Sequence, residues 1–135
     1  MAMTPEEKFQ HWLDAAKYDL RTAQTLLVGG RWLYVAFMCQ QAVEKLVKGL
    51  YVLYVDDDVP KTHNIRSIIG SYEDKLPMEI PLETRELFVR LSTCYLNNRY
   101  PDYKDKLGVQ IRKPQAKELF SRTKKVFAWL LTLKP

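Results

Sequence analysis

The stretch from Trp32 to Tyr54 is apolar around most of the circumference a helix would have, with Trp32, Leu33, Val35, Ala36, Phe37, Met38, Ala42, Val43, Leu46, Val47, Leu50, Val52 and Leu53. A helix of this kind must be covered on more than one side. It cannot serve as a membrane span, because Gln40, Gln41, Glu44, Lys45 and Lys48 break the apolar run well short of the ~18 residues required. Such a helix is expected at the centre of a bundle, at a subunit contact, or at both. The chain has 135 residues, 47% of them hydrophobic and 27% charged, enough to build one domain over residues 1–135 with its own core.

The flanking segments supply the cover. Thr4, Pro5 and Glu7 form a helix start with a capping box. Phe9, Trp12, Leu13, Ala16, Leu20, Ala23 and Leu27 then recur in steps of three and four until Gly29-Gly30. After the Trp32–Tyr54 helix, Thr62 or Asn64 can cap a short helix over about His63 to Tyr72. Pro77 and Pro81 mark a loop from Leu76 to Leu82. A fourth helix is predicted from about Leu82 to Asn97, with Leu87, Phe88, Leu91, Cys94 and Tyr95 on its apolar face. The last runs from Pro114 to about Leu133, with Ala116, Leu119, Phe120, Thr123, Val126, Phe127 and Leu130 as its stripe. No period-2 alternation bounded by hairpin turns is present. The expected fold is all-α: an up-and-down four-helix bundle with one additional short helix.

Charge is uneven. The chain carries 21 Lys and Arg against 16 Asp and Glu, a net +5. From Gln110 onward there are seven basic residues (Arg112, Lys113, Lys117, Arg122, Lys124, Lys125 and Lys134) against Glu118 alone. The basic last helix suits a polyanion and equally suits a solvated face. Cys39 and Cys94 lie within apolar helical patterns without C-x-x-C spacing, so they read as reduced core thiols. The first residues lack a basic region followed by an apolar core, and the expected location is the cytoplasm.

Few segments offer chemistry. No phosphate-cradling glycine motif and no nucleophile elbow is present. Asp56-Asp57-Asp58 lacks the alternation and the glycine of a calcium loop, and with His11 and His63 as the only histidines no metal cluster is expected. Two places remain. Arg99-Tyr100-Pro101-Asp102-Tyr103 sits in an irregular segment from Arg99 to Lys113. Arg99 offers a donor fork for phosphate and Tyr100 and Tyr103 offer faces for a base; an Arg99–Asp102 pair that pins the loop fits equally. Lys61-Thr62-His63-Asn64 places a histidine before a helix, where it can be an acid, a base, a phosphate contact or simply a structural hydrogen-bonder. The candidate nucleotide- or phosphate-binding residues are therefore Arg99, Tyr100, Asp102, Tyr103, Lys61 and His63. Gln41, Glu44, Lys45 and Lys48 are candidates to line a cleft, although Glu44 and Lys48, four apart, are expected to form a surface ion pair.

In order along the chain, Ala15-Ala16-Lys17-Tyr18-Asp19-Leu20, Gly29-Gly30, Ala36-Phe37, Gln40-Gln41-Ala42-Val43-Glu44-Lys45, Pro60-Lys61-Thr62-His63 and Arg99-Tyr100-Pro101-Asp102 resemble the HEPN domain family, over about Phe9 to Leu133. The resemblance implies a helical bundle that works as a homodimer, binds a nucleotide such as ATP, and is encoded beside a minimal nucleotidyltransferase, often as a toxin–antitoxin pair. Many members of that family are metal-independent RNases with an arginine, four to six variable residues, then a histidine. Counted from Arg99, those positions hold Lys104, Asp105 and Lys106, and an ordinary lysine is already protonated near neutral pH. The expectation is thus a non-catalytic nucleotide- or partner-binding module without a cofactor. One alternative is an RNase in which His63 or Tyr103 replaces the missing base beside Arg99. Another is a structural dimerisation domain.

Overall fold

The computed structural model describes residues 2–95 and 111–135, and among them every regular element is helical. The elements are α1 (Pro5–Val28), α2 (Trp32–Tyr54), α3 (Ile65–Gly70), a 3-10 turn (Glu73–Lys75), α4 (Leu82–Ser92) and α5 (Lys113–Leu131). This is the expected up-and-down four-helix bundle with one short additional helix.

α1 opens as its first residues dictate. The Thr4 hydroxyl accepts from the Glu7 amide at 3.1 Å, and the Glu7 carboxylate reaches back to the Thr4 amide. The helix ends in a Schellman motif: Gly30, at φ +75°, donates to the Leu27 carbonyl, and Arg31 donates to that of Leu26. Only glycine takes this left-handed conformation without a Cβ penalty. The reversal it creates is so short that α1 and α2 must lie side by side.

α2 is the covered helix its composition requires. Val35, Ala36, Cys39, Ala42, Val43, Leu46, Val47 and Leu50 are all fully buried. α1, α3, α4 and α5 all pack against it, α1 most extensively. Gly49 marks the closest approach, since a Cβ there would stand 2.9 Å from Cβ of Trp12 and 3.3 Å from the Phe9 ring. Tyr72 locks the turn after α3 onto α2. Its hydroxyl donates to the Val47 carbonyl at 2.7 Å and its ring stacks on Tyr54, centroids 5.5 Å apart. The Tyr54 hydroxyl in turn holds the Leu133 carbonyl just past α5. Arg85 grips Glu73 with both terminal nitrogens, tying the 3-10 turn to α4 and holding the Glu73 carboxyl below its usual range.

Two boundaries differ from expectation. α3 begins only at Ile65, because Asn64 takes the cap and its side chain accepts from Ser67. His63 therefore stands outside the helix. α4 stops at Ser92 rather than Asn97. The hydroxyls of Ser92 and Thr93 donate back to the carbonyls of Val89 and Arg90, at 2.6 and 2.8 Å, offering the chain end an alternative to another helical turn. Cys94 is buried beyond the helix, and Tyr95 leaves the apolar stripe for a different role.

Both thiols are reduced and buried. Burial pushes the Cys39 thiol up to about 12, against a smaller lowering by the neighbouring Thr123 hydroxyl, and burial likewise raises Cys94. Both should therefore resist a disulfide reagent such as dithionitrobenzoate at pH 8 in the folded protein and react once urea unfolds it; rapid labelling of the native protein would contradict this burial. Gly49→Ala should destabilise the fold by about 1–3 kcal/mol through overpacking against Trp12 and Phe9, read as a lower urea midpoint at unchanged slope.

Candidate functional site

Halfway along α2, one strip of the helix is polar although it is buried. Gln40, Glu44 and Lys48 follow one another at steps of four, so they share a face. The side chains of Glu44 and Lys48 are only 5% and 9% exposed and pair at 3.0 Å. The surface ion pair expected from their spacing is thus a buried one, because α3 and the segment leading into it close over this part of α2. A buried carboxylate needs every acceptor position answered. Oε1 of Glu44 accepts from the Gln40 carboxamide at 2.8 Å, Oε2 accepts from Lys48, and both oxygens lie 3.1 Å from Nδ1 of His63.

His63 is delivered to this strip by the turn before α3. Its side chain is 47% exposed. The Gln40 amide also donates to the His63 carbonyl at 3.1 Å, so backbone and ring are held by the same two residues of α2. Gln41 completes the set by donating to Oε1 of Gln40 at 2.7 Å. Tyr95, just past α4, lies over the imidazole, with ring centroids 3.9 Å apart and planes 16° from parallel, and it also meets the Phe37 ring. The Tyr95 hydroxyl is 2.9 Å from Nε2. That contact gives Nε2 a hydrogen-bond partner in Tyr95 as Nδ1 has one in Glu44.

The chemistry follows from these contacts. A carboxylate with both oxygens against Nδ1 assigns a proton to Nδ1. Nε2 is then the accepting nitrogen, and the Tyr95 hydroxyl is within reach to donate to it. Lys48 cancels the charge of Glu44, so the site around the ring is not dominated by negative charge. Three elements fix the imidazole before any ligand arrives.

The other candidates fall elsewhere. Lys45 pairs with Asp19 of α1 at 2.5 Å, a buried acid that joins the two helices. Lys61 lies two residues before His63 but lines a groove with Asp57, Asp58, His11 and Trp12 at the start of α1. Arg99, Tyr100, Asp102 and Tyr103 lie outside the described residues. Among the described residues no group of histidines, cysteines and acids could hold a metal, and no helix is long and apolar enough to cross a membrane. Gln40, Asp19 and Tyr95 were not singled out from the sequence as site residues. Gln40 was findable as the residue one turn before Glu44; Tyr95 was hidden by its fit to the apolar stripe of α4.

The profile of the HEPN domain matches residues 9–133. The chain belongs to the HEPN domain family. Two solved structures bear out this HEPN fold. TT1696 from Thermus thermophilus is 25% identical, with a TM-score of 0.78 over 93% of this chain and 97% of that one. ST0689, described as an archaeal HEPN homologue, is 22% identical, with a TM-score of 0.73 over 95% of this chain and 98% of the other. No curated protein matches the sequence. Within this HEPN bundle, Gln40, Glu44 and His63 belong to the stretches that carried the resemblance, and the structure draws them into one hydrogen-bonded cluster.

Removing one member of the buried pair should be costly. Glu44→Ala leaves Lys48 charged without its partner and should lower stability by about 3–5 kcal/mol, whereas Glu44→Leu combined with Lys48→Met should recover most of that loss. Urea denaturation of the three proteins measures both. A double variant no more stable than Glu44→Ala would show that the pair is not the reason for the loss.

Proposed function

We propose that this HEPN protein is a non-catalytic module that binds the phosphate-bearing part of a nucleotide beside His63, working as a homodimer with a small nucleotidyltransferase encoded next to it, in the manner of a toxin–antitoxin pair. The observation that carries the ligand half of this reading is the imidazole itself, half exposed yet held by Glu44, Gln40 and Tyr95, with the carboxylate behind it neutralised by Lys48. Arg99 follows Tyr95 by four residues, so covalent connectivity keeps its α-carbon within ~14 Å of that of Tyr95. In this proposal Arg99 supplies a forked phosphate contact, Asp102 orients it, Tyr100 or Tyr103 stacks on the base, and Lys61 adds positive charge at the periphery.

One observation favours a second reading. A histidine whose Nδ1 is bonded to a buried carboxylate is oriented as general bases are. His63 would then stand in for the histidine missing after Arg99, and the protein would cleave RNA without a metal. The binding reading is preferred because the histidine that the family's RNases carry four to six residues after the arginine is missing after Arg99, where Lys104, Asp105 and Lys106 stand.

Calorimetry with ATP, ADP and AMP tests the first reading. Binding should weaken with salt and fall at least about tenfold in Arg99→Ala and in His63→Ala, the loss expected for a charge-assisted contact. No heat with any of these nucleotides overturns the ligand half. Cleavage of RNA by the wild type in EDTA, lost in His63→Ala, would establish the second reading instead.

A further inference from the structure

Away from His63, α4 and the second half of α5 splay apart to form a cleft of about 300 Å³. Its apolar wall is Leu87, Val126 and the indole of Trp129. Arg122 and Lys125, about one turn apart on α5, bring two positive charges to the same opening. Arg122 uses Nε on Glu118 at 3.3 Å, which leaves the two terminal amino groups of its fork. Lys125 has no acidic partner among the described residues.

Thr84 of α4 also lines the cleft. It is only 3% exposed, and its hydroxyl finds no hydrogen-bond partner among the described residues. The reason is positional. Thr84 is the third residue of α4, so the carbonyl four residues back, to which Thr22 and Thr25 donate in α1, belongs here to Ile80, outside the helix. The side chain is thus almost wholly enclosed while its hydroxyl stays available, on the cleft, to a bound group or water. The same end of α4 has no side-chain cap, because Pro81 occupies the N-cap position, so the positive end of the helix dipole also faces the opening. Glu83 at the rim is the one acid among the lining residues, and the lining keeps a net positive charge.

We infer that this cleft is a binding site for a small planar compound bearing one anionic group, a carboxylate or a phosphate. Its flat ring lies against Trp129, Val126 and Leu87, and its anion meets Arg122, Lys125 and the Thr84 hydroxyl. The volume sits at the lower end of the range for small-molecule sites and admits one or two fused rings with their anion, not an extended chain. The site is separate from the His63 cluster and stands whether or not a nucleotide binds there.

The test uses 2-naphthoate and 2-naphthyl phosphate, titrated at up to millimolar concentration into the 15N-labelled full chain. The Trp129 indole resonance is assigned by its disappearance in Trp129→Phe. Either compound should shift that resonance and the amides of Glu83 and Thr84, and the tighter of the two identifies the preferred anion. Affinity should fall at least about tenfold in Arg122→Ser/Lys125→Ser, both exposed positions whose change leaves the core intact, and by a similar factor for the uncharged 2-naphthamide. Thr84→Val should weaken binding as well, and His63→Ala should leave it unchanged. Absence of any shift at Trp129, or equal binding by the double variant or by naphthamide, would overturn the assignment.

Discussion

A carboxylate sealed beneath other helices constrains everything around it, and in this protein that carboxylate is Glu44. Leaving it uncompensated in a bundle core would cost several kcal/mol. Its neighbours are accordingly fixed: Gln40 one turn before, Lys48 one turn after, and His63 from the segment that closes over them. Each of those contacts has a structural consequence. Gln40 holds the backbone at His63, which sets where the chain must stand when Asn64 caps α3. His63 gives Tyr95 a face to stack on, and that stack fixes the path of the chain as it leaves α4. The polar strip of α2 thus organises two separate segments, while the apolar remainder of the helix organises the core.

The elements of the fold could be read from the chain because each rests on local chemistry. The capping box at Thr4 and Glu7, the paired glycines before Trp32 and the apolar periodicity of α1, α2 and α5 each act within a few residues. The end of α4 is a different matter. Leu87, Leu91 and Tyr95 fit one stripe, and periodicity carries the helix on past Ser92. What stops it is two consecutive hydroxyls that turn back on the carbonyls of Val89 and Arg90, together with the pull of His63 and Phe37 on the Tyr95 ring. The second of these is a long-range contact, and hydrophobic spacing holds no record of it.

The candidate site was legible in its members more than in its arrangement. Glu44, Lys48 and His63 were identifiable as residue types in an unusual setting, and helix geometry put the first two on one face. Their burial was not visible, since the same i,i+4 spacing describes an exposed pair just as well. The separation of Lys61 from His63 was equally hidden: two residues apart in a turn, they point to different neighbours, one to the acids near α1 and the other to α2. Lys45 resembles Lys48 in sequence yet serves to tie α1 to α2 through Asp19, a residue that reads as an ordinary polar position until its 6% exposure is known.

The presence of Glu44 and Lys48 in the core is not accounted for by stability. An ion pair this deeply buried gains little over a well-packed apolar pair of the same volume, because desolvation offsets most of the Coulomb attraction. Leu and Met at these positions would extend the apolar surface α2 already presents on every side. Such a helix would still pack, but His63 would lose the acceptor for Nδ1 and, with it, the contact that orients its ring. The pair is best understood as the support of the imidazole: Glu44 aims it, and Lys48 neutralises the carboxylate that does so. Stability at this place is exchanged for the orientation of one exposed ring, which is the pattern expected where a fold carries a function rather than only a core.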